Sequence, residues 1–165
     1  MTSESTPSWH SLPAAFRDMG RWLMLVLFVG YSTSLVYVWC TTRMVPASIA
    51  DHYRGSDAGT DAMQFPKSFR EMLTVTHTHL LTMAMIFVLS GAALALTERV
   101  SSRWKRILCV EPFVALLVSF SAMWLMRYSD PRFAILLALS STIMALTFYL
   151  QCFLVFRELR WRDHP

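Results

Sequence analysis

The sequence predicts an all-α membrane protein, an antiparallel four-helix transmembrane bundle. Two observations predict this fold. Hydrophobic residues make up 55% of the 165 residues and charged residues only 16%, whereas soluble domains carry about 25% charged residues. The charges also gather in short patches between four continuous apolar stretches, each near the roughly 20 residues that cross a bilayer. Continuous rather than alternating stretches indicate helices and not barrel strands.

The four apolar stretches give the predicted spans within a single membrane domain of residues 1–165. A short arm precedes the first span, and the connections after the second and third spans are brief, so neighbouring helices are expected to pack antiparallel. The predicted transmembrane helices are about 22–42, 72–97, 107–127 and 133–156.

Two of the spans carry start signals. Ser68 and Glu71 fit a capping box, in which the serine caps the helix and the glutamate reaches back to it. A helix from there to Thr97 is longer than a hydrocarbon core about 30 Å thick, so its first turns are expected to stand outside the membrane. Asp130 and Pro131 are residue types that favour the start of the fourth helix.

The segment 43–67 is the one long connection, and we expect it on the outer face. It contains two prolines and two glycines, which predicts a loop without regular structure. Loops of this length are often functional, but no residue pattern in it indicates a particular chemistry.

Basic residues predict the orientation of the chain. Nine lysines and arginines flank the proposed inner ends of the spans and six lie on the other side, with four of the nine in residues 98–106. This positive-inside bias predicts a multi-pass protein of the bacterial inner membrane with both termini cytoplasmic. The partner of these basic patches is the lipid bilayer, through anionic headgroups, and not nucleic acid.

Two histidines stand near the predicted outer end of the second span. His77 and His79 are two residues apart, so on a helix they point about 200° away from each other, and only one can face the bundle. Small residues such as Ala84 and Gly91 on its side favour His77, because small residues let helices or a flat cofactor approach closely.

This histidine pair predicts a cofactor or metal site. A neutral imidazole ligates haem iron and copper, and helical bundles hold such sites between facing helices. Met123 and Met126 of the third span lie at the same depth and are candidate second ligands. Haem b or copper at this site would exchange electrons with other membrane or periplasmic electron-transfer proteins. The alternative is a structural histidine that is hydrogen-bonded to a polar patch of the first span, which includes Tyr31 and Ser34.

Glu111 is the acidic residue inside a span. An ionisable group there is costly to bury, which makes it a functional candidate. Gln151 of the fourth span lies at similar depth and is a predicted hydrogen-bond partner. A structural role at the interface and a proton-relay role both fit this pair.

The segment from Pro66 to His79 ends in Thr-His-Thr-His and is followed by Gly91, Thr97 and Glu111-Pro-Phe113. These features resemble an uncharacterised group of small bacterial four-helix membrane proteins, over the last three spans. The chain is also vaguely similar to b-type cytochrome membrane subunits, which implies haem held by histidines. Those subunits commonly supply histidines from two helices, whereas the spans here contain histidines in the second span alone.

Three functions follow as hypotheses. The first is a non-catalytic subunit or anchor of a membrane complex, the second a haem b or copper redox protein with a site near the outer face, and the third a small transporter or proton pathway. The sequence has no Gly-rich phosphate loop, no Gly-x-Ser-x-Gly and no His-Glu-x-x-His, so nucleotide-binding and hydrolase sites of those types are not predicted.

Overall fold

A computed structural model describes residues 7–56 and 64–160 of the chain. The described residues form five helices and no extended strand. Four of these helices are long and apolar enough to cross a membrane, which confirms the predicted all-α transmembrane fold. The helices are α1 (Ala14–Thr42), α2 (Pro46–Arg54), α3 (Phe69–Ala95), α4 (Ser102–Tyr128) and α5 (Phe133–Arg160).

The spanning helices run antiparallel to their neighbours in sequence, and α3, α4 and α5 form the closely packed part of the bundle, with α1 against α5. We call the two ends by what they contain. The terminal end holds the start of α1, the end of α5 and the α3–α4 connection. The loop end holds α2 and the short α4–α5 connection.

Helix α1 begins at Ala14 rather than near residue 22. Residues 7–13, which precede it, fold onto the terminal end of the bundle. Trp9 is buried, and its indole Nε1 donates to the Ala93 carbonyl over 2.9 Å. Gly20 makes room for it, since a Cβ there would lie 2.5 Å from the indole ring. The contact fixes the early turns of α1 outside the predicted span.

The expectation that segment 43–67 lacks regular structure is wrong for residues 46–54, which form α2. Pro46 occupies the first turn and Gly55 ends the helix with φ of 83°, where a side chain would be strained. Ile49 and Ala50 are buried against the bundle. Burial of this short apolar edge stabilises a helix that is too short to be stable alone.

The capping box is confirmed. The Glu71 amide donates to the Ser68 hydroxyl over 3.3 Å, and the Ser68 amide donates to the Glu71 carboxylate over 2.7 Å. At about 1.5 Å per residue, the 27 residues of α3 span about 40 Å. The helix therefore exceeds a hydrocarbon core of about 30 Å.

The core of the bundle is an aromatic cluster toward its terminal half. Phe148 of α5 is fully buried and stacks on Tyr31 of α1, with ring centroids 4.4 Å apart. Phe87 of α3 meets Phe148 edge-on at 6.5 Å and Phe113 of α4 at 6.2 Å. Each spanning helix contributes a ring, so this cluster fixes the helices at one depth.

Candidate functional site

His77 and His79 lie in the loop-end half of α3, two turns or more after its start. Both side chains are exposed on the outside of the bundle. The expectation that His77 faces the bundle interior is therefore wrong.

The direction of the histidines follows from the stripe of α3 that packs on the bundle. Thr76 and Leu80 are partly buried on this stripe, and the Thr76 hydroxyl accepts a hydrogen bond from Trp124 Nε1 over 2.9 Å. Consecutive residues turn by about 100°, so His77 follows Thr76 on one flank and His79 precedes Leu80 on the other. The packing stripe passes between the two histidines.

The two candidate methionine ligands lie inside the protein. Met123 and Met126 of α4 are 3% and 0% exposed and pack with Met72, Ile49 and Ala134 in the loop-end core. The histidines project outward from the same region. Within one chain, the structure therefore places the methionines in packing positions and the imidazoles on the surface.

The predicted polar partners on α1 are also engaged elsewhere. Tyr31 is buried in the aromatic cluster. Ser34 is exposed and donates to the Gly30 carbonyl of its own helix over 3.1 Å. Neither residue makes a hydrogen bond to His77 or His79.

The outward side of α3 near the loop end carries polar side chains beside the exposed Leu73 and Leu81. Thr74 and Thr82 bond to carbonyls four residues earlier, as hydroxyls on membrane helices often do. Among the described residues His77 and His79 have no hydrogen-bond partner. We call this surface the histidine–threonine face; it consists of Thr74, His77, Thr78, His79 and Thr82.

A second polar site lies inside the bundle. Pro112 has no N–H, so the Leu108 carbonyl four residues earlier loses its helical partner. Gln151 of α5 replaces that partner, since its buried Nε2 donates to the Leu108 oxygen over 2.7 Å. The amide side chain therefore repairs the break that the proline makes in α4.

Glu111 lies beside this repair. One of its carboxylate oxygens and the Gln151 carboxamide oxygen are buried without a hydrogen-bond partner among the described residues. The predicted hydrogen bond between the two side chains is not formed. Two buried acceptors without a donor are costly.

The terminal end holds a cluster that the sequence did not reveal. Glu158 is 2% exposed. Its Oε1 lies 3.1 Å from His10 Nε2 and accepts from the Glu98 amide over 3.2 Å, and its Oε2 lies 3.8 Å from Arg99 Nε. These contacts tie the N-terminal segment and the α3–α4 connection to the last turn of α5.

The donor types in this cluster suit a divalent metal, since one donor atom each of His10, Glu98 and Glu158 lies within 4.8 Å of the others. The buried carboxylate already has protein partners on both oxygens, among them the Arg99 guanidinium. A cationic side chain at this distance opposes a metal ion electrostatically. We therefore describe the cluster as a set of polar contacts that holds these chain segments together, and call it the Glu158 cluster.

The sequence did not predict the Glu158 cluster, because 148 positions separate His10 from Glu158. The signal that was present is the sequence Trp9-His10 before the first span, an aromatic and a polar residue that could reach the membrane interface. Glu158 gave a weaker signal, as an acidic residue near the predicted end of the last span.

Comparison with known proteins supports the membrane assignment. A family model described as a transmembrane helical domain matches residues 43–164, which covers α2 to α5 and the histidine–threonine face. No protein of curated function and no solved structure matches the chain.

Proposed function

The chain belongs to the Aq_1264_TM family of transmembrane helical domains, and from this premise we propose that it is a non-catalytic subunit that anchors another membrane protein. The docking surface is the histidine–threonine face of α3. The membrane is the bacterial inner membrane, with the loop end outward and both termini in the cytoplasm, as the excess of basic residues at the terminal end favours.

The observation that carries this proposal is the exposure of two imidazoles without partners among the described residues on a membrane helix. Polar groups next to lipid are costly unless a partner hydrogen-bonds them. Thr74, Thr78 and Thr82 recur every four residues between the two histidines, and small hydroxyl side chains let a second helix approach closely. A helix that packs on the threonines would meet one imidazole on each side.

Native electrophoresis of mildly solubilised membranes tests the docking. We expect the protein to migrate in an assembly well above its own 19.0 kDa and the Thr78→Trp variant to migrate alone, because the indole blocks the approach of a partner helix. Val36→Trp on α1 is the control, since Val36 is equally open to lipid at 59% exposure. A monomer in the unmodified protein, or equal loss with Val36→Trp, contradicts the proposal.

Two differently tagged copies identify the partner. If one tag captures the other through the histidine–threonine face, the partner is a second copy and the anchoring role is wrong. If no second copy is captured and the assembly persists, the partner is a different membrane protein, as proposed.

Haem b or copper binding is tested on the same sample. An imidazole that points out of one chain would hold such a cofactor at the interface with the docked partner. A reduced b-type haem band or bound copper in the assembly, lost in His77→Ala or in His79→Ala, would show a redox function. A featureless absorption spectrum of the assembly purified from haem- and copper-replete cells, with no bound copper, would contradict the redox function and agree with the anchoring role.

A proton pathway is the second candidate, and the unpartnered oxygen of Glu111 favours it. An ionisable group inside a membrane span is a functional candidate because its burial is costly. In liposomes with an imposed potential and a pH dye inside, a proton pathway predicts dye response that Glu111→Gln abolishes and Ser121→Ala, on the exposed side of α4, leaves intact. No response in the unmodified protein refutes this candidate.

A further inference from the structure

A cleft of about 520 Å³ separates α1 from α5 at the terminal end of the bundle. Its α1 wall consists of residues three and four positions apart, which therefore share one helix face. Trp22 is 67% exposed, so the cleft opens sideways rather than into the bundle. In a membrane protein the material beside that opening is lipid. The α1 wall is formed by Asp18, Arg21, Trp22 and Leu25.

The α5 wall combines an apolar floor with a basic rim. Leu159 is 4% exposed and Phe156 is half-buried. Arg21 donates to the Leu159 carbonyl over 2.8 Å and pairs with Asp18 at 2.9 Å, so it is already engaged. Arg160 is exposed at the rim and has no hydrogen bond or ion pair to any described residue.

We propose that this cleft binds one anionic phospholipid, with an acyl chain along Trp22, Leu25 and Phe156 and the phosphate on Arg160. Contact between the apolar walls of the cleft and water is unfavourable, whereas a lipid acyl chain packs favourably against these walls. An arginine fork matches phosphate oxygens, and basic pockets between membrane helices attract anionic headgroups. Arg21 also covers the Leu159 carbonyl, which would otherwise repel the phosphate.

The charge balance favours an anion over a zwitterionic headgroup. Of the three charged side chains among the described residues that line the cleft, Asp18 and Arg21 neutralise each other, which leaves the positive charge of Arg160. One arginine near a headgroup contributes about 1 kcal/mol, which corresponds to about a fivefold preference for an anionic lipid.

The fluorescence of Trp22 reports on the occupant of the cleft, because bromine quenches a nearby indole. The protein is reconstituted in phosphatidylcholine with a small fixed fraction of either phosphatidylglycerol or phosphatidylcholine that carries bromine on its acyl chains. The fluorescence of Trp22 is obtained as the difference in intensity between the unmodified protein and Trp22→Phe. We expect brominated phosphatidylglycerol to quench Trp22 at about fivefold lower concentration than brominated phosphatidylcholine.

Arg160→Gln should abolish this preference while the folded protein is retained, because Arg160 is exposed. Arg103→Gln is the matched control, since Arg103 is an exposed arginine at the same end of the bundle that does not line the cleft. The proposal is overturned by equal quenching from both lipids, or by an equal loss in Arg103→Gln, which would reflect general surface charge. It is also overturned if inorganic phosphate at constant ionic strength abolishes the preference, because the anion would then be free phosphate.

The lipid site does not depend on the anchoring role. It rests on the cleft, its charges and the membrane-spanning character of the helices. Its assay uses the isolated chain in a defined bilayer, so failure of one proposal leaves the other standing.

Discussion

Single residues in this bundle show how polar groups are accommodated beside lipid. Most exposed hydroxyls bond to their own helix, as Thr33 and Thr142 do over 2.9 and 2.7 Å. Longer polar side chains need a partner on another helix, and Gln151 has one in the Leu108 carbonyl. The imidazoles of α3 have none among the described residues, and the proposed docking rests on this.

The proline break in α4 gives a prediction at this scale. Gln151→Leu should lower the free energy of unfolding by about 1–3 kcal/mol, because the Leu108 carbonyl then lacks any donor. In a Pro112→Ala background the backbone amide restored at position 112 bonds to that carbonyl, so the cost of Gln151→Leu should fall well below this value. Unfolding in mixed micelles with increasing denaturing detergent measures both differences.

A double-mutant cycle decides between two explanations. Equal costs of Gln151→Leu in the proline and alanine backgrounds would mean that Gln151 acts only through packing. Cys152→Ala, beside it in the sequence and also buried, is a control that should show the same cost in both backgrounds.

His52 of α2 gives a prediction about pH. Burial, and next the positive charge of Lys67, hold the pKa of His52 below its ordinary value of 6.5. We expect its ring signals in an NMR titration, assigned by their loss in His52→Asn, to have a midpoint below 6.5. Lys67→Gln should raise the midpoint but leave it below 6.5, because burial is the larger cause. A midpoint at or above 6.5 in the unmodified protein contradicts this environment.

The sign of the stability effect follows from the lowered pKa. As the pH falls through 6.5, the unfolded chain takes up a proton on His52 before the folded chain does. Stability is therefore unaffected above this range and decreases as the pH falls toward the folded-state pKa. His52→Asn should remove that part of the acid sensitivity.

At the level of helices, the sequence predicted the elements whose apolar pattern extends over many residues. Four long apolar runs and the Ser68 capping box were sufficient for α1, α3, α4 and α5. Helix α2 has nine residues and no extended pattern, and its stability comes from burial of Ile49 and Ala50 against distant helices. The direction of His77 was missed for a related reason, since the phase of α3 is set by contacts such as Trp124 to Thr76.

The attachment of α2 depends on an arginine. Arg54 donates to the carbonyls of Met126 and Ser129 over 2.8 and 3.3 Å, at the end of α4 where carbonyls lack helical partners. Charge-assisted hydrogen bonds contribute about 1.5–3 kcal/mol. Arg54→Gln should therefore accelerate amide hydrogen exchange in residues 46–54 by roughly 10–100-fold.

A control separates local release from general loss of stability. Arg132→Gln changes an exposed arginine at the same end and should leave exchange in α2 unchanged. If Arg54→Gln accelerated exchange equally in α5, the arginine would support the whole bundle rather than α2.

For the whole molecule, exposure is distributed unevenly among the helices. Only 11% of the most apolar window of α1 is buried, against 39% in α4. Helix α1 is held mainly at the aromatic cluster and at the terminal end, and its open side leaves the cleft next to α5. Sequence hydropathy predicted four spans but not this looseness, because hydropathy does not distinguish a side chain that faces lipid from one that faces protein.

Orientation in the membrane is the whole-molecule property that the sequence predicts most directly, and α4 offers a matched test of it. Ser101 and Ser129 are exposed residues just before and just after this helix, at the terminal end and the loop end. In a background without Cys40, Cys109 and Cys152, a membrane-impermeant maleimide should label Ser129→Cys in intact spheroplasts and Ser101→Cys only after permeabilisation. The reason is the segment 98–106 at the terminal end, whose four basic residues favour the cytoplasm. The reverse pattern would place the histidine–threonine face near the cytoplasm and refute the proposed orientation, and labelling of both cysteines from one side would refute α4 as a span.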